Sequence, residues 1–341
     1  MKFDVTIGIP VFRSESYIRR TLDSALVQTY PSIEFLLIDD AGGDGSLTIM
    51  QEIQNTHPRG NAIRIISHDK NLGVSASRNQ IIDEAQGQYL YFMDSDDLIA
   101  GNTIELLMQN ATRYDAEIVF GSYEKIETSG ECMVYQYPSL QLLEKDKLAE
   151  FAYRKYGGIQ ASACNYLVKT SILRDNNLRF IDTNYWEDFV FTFDLVTYIS
   201  RAVLLPEVTY FYYCRENSLS HYQRRKQISK DEIVQNIRTI DYLKKESSLW
   251  HDKAYYPNRC YIVMMTDIYM ACSILKHRSD IVPSFSNQEI KALLSHPATS
   301  RQIYSFRQYR LNNLILFLLG KLSPSLCVAA IWMIGKAKKL L

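Results

Sequence analysis

Tyr89-Leu90-Tyr91-Phe92-Met93-Asp94-Ser95-Asp96-Asp97 joins a short apolar run to an acidic cluster. The run has the length and character of a buried strand, and the cluster stands at its end. Carboxylates crowded in one place repel each other. They are held there favourably when a cation neutralises them. Oxygen-only ligands suit a hard divalent ion such as Mg²⁺ or Mn²⁺, and such ions commonly carry substrate phosphates. The plainer reading is a solvated turn that caps a helix, because Asp is a good cap. On this stretch alone both readings stand.

Working outward, short apolar strands alternate with amphipathic helices. Val5–Ile9 reads as a strand, and Glu15–Gln28 as a helix with Ile18, Leu22, Ala25 and Leu26 on one face. Phe35–Ile38 is the next strand and ends on Asp39-Asp40. A glycine-rich loop follows, and Ser46 can cap a helix running to about Thr56. Ile63–Ile66, Tyr89–Met93 and Ile118–Phe120 read as strands, and Ser75–Ala85 and Thr103–Tyr114 as helices. This alternation predicts an α/β fold, a mostly parallel sheet flanked by helices. Ligands bind beyond the carboxyl ends of such strands. Asp39-Asp40, the Asn71 loop and the Asp94 cluster all lie at such ends, which points to one site.

Further on the pattern loosens. Gly121–Pro138 reads as a β excursion, Ser162–Val168 and Thr209–Cys214 as strands, and Glu144–Tyr156 and Glu187–Ile199 as helices. Ile228–Glu246 and Tyr261–Leu275 are helical in pattern. The expected organisation is an α/β part over 1–225 and a helical region over 226–341.

Formal net charge is zero, with 38 Lys+Arg against 38 Asp+Glu, so no global basic footprint suggests a nucleic-acid partner. The six cysteines lie far apart, without metal-ligand or redox spacing, and read as free thiols of a reducing compartment. The chain opens directly on a strand, so no signal peptide is expected. No apolar stretch reaches the ~20 residues of a membrane-spanning helix. Leu314–Leu319 and Leu326–Ile334 are apolar, and Lys336, Lys338 and Lys339 follow. Two readings stay open for 311–341: a helix pair packed on a core, or an interfacial hairpin whose lysines meet anionic headgroups.

Five segments carry a resemblance. Ile9-Pro10-Val11-Phe12, Leu22–Tyr30 and Ile38-Asp39-Asp40-Ala41-Gly42-Gly43-Asp44-Gly45-Ser46 come first. Asn71-Leu72-Gly73-Val74-Ser75-Ala76-Ser77-Arg78-Asn79 and Gly87–Asp97 continue in order. Together they resemble the inverting glycosyltransferase family 2, in register over about a hundred residues, where a lone DxD would be weak. Trp186-Glu187-Asp188-Phe189 resembles the family's later Glu-Asp motif, and Tyr212–His221 its Tyr-Arg…Ser segment. Beyond about residue 225 nothing is diagnostic.

The resemblance implies a Rossmann-like GT-A fold that binds a nucleotide-diphosphate sugar with Mn²⁺ or Mg²⁺. Asp96 would ligate the metal, with Asp94 beside it on the metal, its water or the ribose. Ser95 lies within the same motif. His221 is a candidate nitrogen ligand, although a lone His is more often an ordinary core or surface residue. Pro10 and Phe12 would cradle the base. Arg13 stands where the family usually has Asn. Glu15 sits where a ribose contact is plausible, or is simply an acid in a first helical turn. Asp40 matches the base-reading aspartate and favours UDP, while Asp39 would brace the loop. Asn71 would approach the nucleotide. Arg78 would contact the donor or, equally, form a structural ion pair with a site aspartate. Arg215 belongs to a loop able to fold over the diphosphate, and Arg224 and Arg225 read as phosphate binders or as a solvated basic turn. Asp188 would be the general base, with Glu187 orienting it or the acceptor. The plainer account of Glu187 and Asp188 is two acids favoured at a helix start.

The resulting expectation is a metal-dependent inverting transferase acting on a hydroxyl of a glycan or lipid-linked glycan in bacterial surface-polysaccharide assembly. It would work in the cytoplasm, on the inner face of the membrane if the C-terminal helices dock there. A sugar nucleotidyltransferase would need a glycine-rich basic phosphate loop, which Gly8–Phe12 is not. A non-catalytic nucleotide-sugar scaffold would not need Asp94, Asp96 and Asp188 together.

Overall fold

The computed structural model describes residues 2–154, 158–183, 186–215 and 227–341. Its contacts divide the chain into two compact units. One comprises Met1–Leu148 and Gln160–Ser218, the other Ala149–Ile159 and Leu219–Leu341. The sequence reading assigned 149–159 to the first part, whereas the contacts gather it with the helical remainder.

The first unit is built on one sheet. Its strands are β1 (Phe3–Val11), β2 (Ile33–Asp39), β3 (Ile63–Ser67), β4 (Gly87–Phe92), β5 (Leu98–Ile99), β6 (Ile118–Ile126), β7 (Cys132–Tyr135), β8 (Leu140–Leu142), β9 (Tyr166–Lys169) and β10 (Ala202–Tyr213). The main order is β3-β2-β1-β4-β9-β6-β10-β5. β3, β2, β1 and β4 are mutually parallel. β2 is buried along its whole length, and β1 and β4 over most of theirs. That explains why they read as continuous apolar runs, since helices cover both faces of a parallel sheet. Past β4 the sheet is mixed: β9 runs antiparallel to both β4 and β6, and β10 runs parallel to β6.

The helices of this unit are α1 (Ile18–Leu26), α2 (Ser46–Thr56), α3 (Val74–Glu84), α4 (Thr103–Tyr114), α5 (Lys147–Arg154), α6 (Thr170–Asp175) and α7 (Glu187–Leu195); α5 runs across the division into the second unit. In α1 the buried Ile18, Leu22, Ala25 and Leu26 form the stripe that 3.6-residue periodicity predicts. The helix begins three residues later than expected, because Tyr17 N–H and Ile18 N–H both bond Ser14 C=O in a tight entry turn.

The chain leaves β1 toward β2 and β3, then returns to the other side of β1 as β4. β1 and β4 therefore flank a switch point, with a crevice at their carboxyl ends. Register brings Val11 opposite Asp39, and Gly8 opposite Phe92. The acidic cluster after β4 thus starts at that crevice.

The second unit is mainly helical: α8 (Lys230–Ser247), α9 (Tyr256–Lys276), α10 (Asn287–Ala292), α11 (Ser300–Ser305), α12 (Arg310–Leu319) and α13 (Pro324–Ala337), with a two-strand pair, β11 (Ile228–Ser229) and β12 (Ile281–Val282). α9 is apolar around most of its circumference and forms the centre, with Cys260, Val263, Met264, Ile268 and Ala271 essentially inaccessible. Buried charge here is paired: Lys244 Nζ lies 2.8 Å from Asp267 Oδ2 and bonds Leu293 C=O at 2.6 Å. Among the described residues no helix is long and apolar enough to cross a membrane.

Candidate active site

Asp94, Ser95, Asp96 and Asp97 leave β4 in a tight turn, with Asp97 N–H bonded to Asp94 C=O. The four side chains take different surroundings. Asp97 is fully buried: Tyr210 Oη donates to its Oδ2 at 2.6 Å, and Tyr213 N–H to its Oδ1 at 2.9 Å. Burial, with the charges of Asp94 and Asp96, pushes its carboxyl well above the ordinary range. Asp97 therefore ties β10 to the cluster. Ser95 turns inward as well, its hydroxyl 2.6 Å from that of Ser14 and its carbonyl accepting from Thr21 Oγ1. Ser95 thus closes α1 onto the turn.

Asp94 and Asp96 remain, Asp96 nearly enclosed and Asp94 part-exposed. Asp96 is ion-paired with Arg215, whose guanidinium also stacks 4.8 Å over the Tyr17 ring. Burial and the neighbouring Asp94 charge raise the Asp96 carboxyl to about 6, against the pull of Arg215. The Asp94 side chain is 32% exposed, and its Oδ1 takes a hydrogen bond from Arg78 Nη2 at 2.9 Å.

Arg78 is the junction of the site. It is buried on α3, and its second terminal nitrogen donates to Glu187 Oε1 at 2.8 Å. Burial disfavours its charge, but the Asp94 and Glu187 carboxylates outweigh that and hold it well above its ordinary value. The guanidinium carbon lies 5.3 Å from the centroid of Phe180, which stacks on Phe191 at 3.9 Å, with Phe92 edge-on to both. This aromatic floor excludes water and strengthens the ion pairs above it. Of the two roles open to Arg78 in the sequence, the geometry gives the ion pair.

Asp188 follows Glu187 in the first turn of α7. Its Oδ1 accepts from the N–H of Phe189 at 2.7 Å. Burial, then the Glu187 charge, raises its carboxyl to about 7, partly offset by Arg78. Among the described acids it is one whose proton changes hands near neutrality.

Asp40 does the loop-bracing expected of Asp39. Asp40 is 2% exposed and fully engaged: Leu72 N–H donates to Oδ1 at 2.7 Å, Gly73 N–H to Oδ2 at 2.9 Å, and His68 Nδ1 lies 2.7 Å from Oδ1. It braces the Asn71 loop. Gly73 fits this loop because its φ of 91° is costly for any side chain. Asp39 is raised by burial, with Ser67 and the Gly42 backbone as hydrogen-bond partners.

Phe12 is 42% exposed at the end of β1, stacked by Arg13 at 5.2 Å. Pro10 is in β1, paired with Ile38. Glu15 accepts from Gly45 N–H at 3.0 Å while its own N–H donates to Asp44, so it closes the glycine-rich loop. Asn71 is exposed. His221, Arg224 and Arg225 lie outside the described residues. Sequence reasoning missed His68, Tyr210, Ser14 and Phe180. Each is defined by a partner distant in the chain and carries no local signal.

The donor set can be tested for a metal. Asp94 and Asp96 offer hard oxygen ligands, and Arg215 already supplies positive charge to Asp96. Among the described residues no group of three or more His, Cys, Asp and Glu is placed to hold an ion. Two carboxylates suit an ion that takes its remaining ligands from substrate phosphates and water.

Known proteins can now be set beside this geometry. Residues 6–174 match the profile of glycosyl transferase family 2. The chain is 34% identical over 131 residues to the glycosyltransferase GlyA of Streptococcus pneumoniae, which is 38% of this chain but 18% of that protein. It is 24% identical over 220 residues to GlyG of the same organism, covering 63% and 72%. It is 24% identical over 283 residues to the cholesterol galactosyltransferase of Borreliella burgdorferi, covering 79% and 76%. Among solved structures, S. aureus TarS 1–349 in complex with UDP-GlcNAc superposes with a TM-score of 0.57 at 16% identity, covering 93% of this chain and 90% of that one. That likeness is one of fold, and it is the GT-A fold. Residues 6–174, which hold the switch-point crevice, Arg78 and the acidic turn, match glycosyl transferase family 2, and the chain is a glycosyltransferase.

Proposed function

We propose that this enzyme transfers a sugar, with inversion, from a UDP-linked donor to a hydroxyl of a glycan or lipid-linked glycan in polysaccharide assembly, at the inner face of a membrane. The observation that carries the reading is Arg78. One buried guanidinium holds Asp94 of the acidic turn and Glu187, the neighbour of Asp188. Groups suited to a diphosphate and a group suited to a hydroxyl proton are thereby fixed in one site.

In this reading the base stacks on Phe12 beside Pro10. Asp39, not Asp40, accepts the uracil imide N–H, since the oxygens of Asp40 are engaged by the loop it braces. Asn71 lines the same loop, and the Gly45–Glu15 contact holds its opposite wall. The TarS complexes with UDP-GlcNAc and UDP support a uridine nucleotide on this fold. Asp94 and Asp96 would hold a divalent ion, which supplies Lewis-acid neutralisation of the departing diphosphate. Arg215 adds positive charge beside them. The acceptor oxygen attacks the anomeric carbon opposite the diphosphate, the C–O bond to the diphosphate breaks, and Asp188 takes the hydroxyl proton. Glu187, neutralised by Arg78, keeps α7 and hence Asp188 in place.

The test is thermal stabilisation by a panel of nucleotide sugars, each with and without Mn²⁺, in the wild type and in Asp96→Ala. Stabilisation by UDP-sugars that needs Mn²⁺ and is lost in Asp96→Ala supports the reading. Undiminished, metal-dependent stabilisation in Asp96→Ala would remove that residue from the ion's ligands. Stabilisation by another nucleotide class would replace the donor.

A further inference from the structure

The second unit presents a surface that the donor chemistry does not use. In α12 the face formed by Asn313, Leu316 and Leu319 is buried, yet Leu311, Ile315 and Leu318 are exposed by 68%, 53% and 52%. Their spacing of four and three residues puts these three on one side of the helix. α13 repeats the arrangement. Cys327, Ile331 and Gly335 are buried, while Leu326, Trp332 and Met333 are exposed by 61%, 51% and 61%. Each helix thus spends one apolar stripe on the protein and turns a second one outward. Paired helices with large outward apolar side chains mark an interaction surface rather than scattered exposure.

The charge around these stripes says what would cover them. From Ile290 to Leu341 the chain has eight Lys and Arg and no Asp or Glu: Lys291, Arg301, Arg307, Arg310, Lys321, Lys336, Lys338 and Lys339. The chain as a whole is neutral, so the preceding residues carry the balancing excess of acid. Lys321 follows the α12 stripe directly, and Lys336 closes the α13 stripe with its ammonium 5.2 Å from the Trp332 ring. An indole next to cations, at the end of an apolar stripe, is the composition favoured at a bilayer interface. Lys291 and Lys321, with Ser295, also line a cavity of about 300 Å³, donors of the kind a headgroup phosphate accepts from.

We infer that the outward faces of α12 and α13 dock on a bilayer containing anionic lipid, the apolar stripes entering the headgroup boundary and the lysines pairing with lipid phosphates. The helices lie on the membrane and do not cross it. The inference rests on the membrane-face part of the proposed function and on none of its chemistry. A second copy of the chain could cover the apolar stripes, but an excess of like charge on both partners opposes that pairing.

The experiment is co-sedimentation of the full chain with vesicles of phosphatidylcholine alone and of phosphatidylcholine mixed with phosphatidylglycerol. The wild type should pellet with the mixed vesicles, remain in solution with phosphatidylcholine, and come off progressively with salt. Lys336→Gln, Lys338→Gln and Lys339→Gln together should weaken binding by roughly a hundredfold, at about fivefold per lysine near an anionic surface. Ile315→Glu with Met333→Glu should abolish it. These positions are exposed, so melting temperature and UDP-sugar binding without vesicles should stay at wild-type values. That control separates failure here from failure of the donor assignment. A wild type that stays in solution with both vesicle types overturns the inference. So does a concentration-dependent dimer that Ile315→Glu dissociates, accompanied by no vesicle binding.

Discussion

Arg78 in the first unit and Lys244 in the second are both buried cations, and they do different work. Lys244 faces Asp267, whose side chain is 1% exposed, and a backbone carbonyl. It also meets Asp241, one turn back on α8, whose side chain is 56% exposed. Arg78 faces Glu187, which is nearly as enclosed, but also Asp94, whose side chain is 32% exposed at a strand end. The pairs are alike in chemistry, and each has one exposed carboxylate; the difference is that Asp241 lies on Lys244's own helix, whereas Asp94 comes from the turn after β4, at the crevice. A buried ion pair is thus weak evidence of function by itself. It becomes informative when one partner reaches solvent at the switch point of a parallel sheet.

The comparison is sharpened most by removing the group that Arg78 helps to place. Asp188→Asn keeps size and hydrogen bonding but cannot take a proton. We expect kcat to fall by about 10²–10⁴-fold, the range general-base catalysis usually supplies, with donor KM unchanged. Turnover at the wild-type rate would return Glu187 and Asp188 to the plain role of acids at a helix start.

Next come the two cations themselves. Arg78→Met and Lys244→Met should each cost about 3–5 kcal/mol of stability, because each strands a buried carboxylate. Removing the partner too should separate them. Lys244→Met with Asp267→Leu should recover most of the stability and transfer at the wild-type rate. Arg78→Met with Glu187→Gln should recover stability but stay inactive, as read by melting temperature and turnover together. If that second double variant transfers normally, Arg78 is scaffold in the same sense as Lys244, and the contrast between the two regions disappears.

The smallest expected effects concern pH. The Asp188 carboxyl sits at about 7, so kcat should rise with pH up to about 7 and then level. Its value is raised above the ~3.9 of an unfolded aspartate. The unfolded chain therefore ionises first as pH rises, and stability is lost between about pH 4 and 7. Asp188→Asn should then melt higher than wild type at pH 8 and the same at pH 4. A constant difference across that range would show that Asp188 is not held protonated by its surroundings.

Local pattern carried a good part of the fold. α4 spans Thr103–Tyr114 as periodicity predicts, and α2 spans Ser46–Thr56. The acidic turn was legible because an apolar run ending in crowded carboxylates is a one-dimensional feature. The partners were not. Arg78 meets Glu187 across 109 residues, and Asp97 meets Tyr210 across 113. No spacing rule reaches so far. That Asp40 and not Asp39 braces the 68–73 loop has its own reason. Asp39 ends β2 and Asp40 follows it, so their side chains point different ways and only one of the two meets that loop. Which one is decided by how the 68–73 loop closes, and that loop has no periodicity to read.

Composition and order alone therefore determined the strand-helix alternation, the carboxylates at the strand ends and the acid-free basic tract from Ile290 onward. These are properties of short windows, where hydrophobic period and charge act between near neighbours. The tertiary structure decided which carboxylate stays part-exposed, which braces a loop, and which is pushed up toward neutrality. Those depend on burial and on charges brought together from distant segments, and burial is not a property of any window of sequence. It also decided that α12 and α13 each bury one apolar stripe and expose another. The sequence shows both stripes as apolar, and only packing shows which of them is left uncovered.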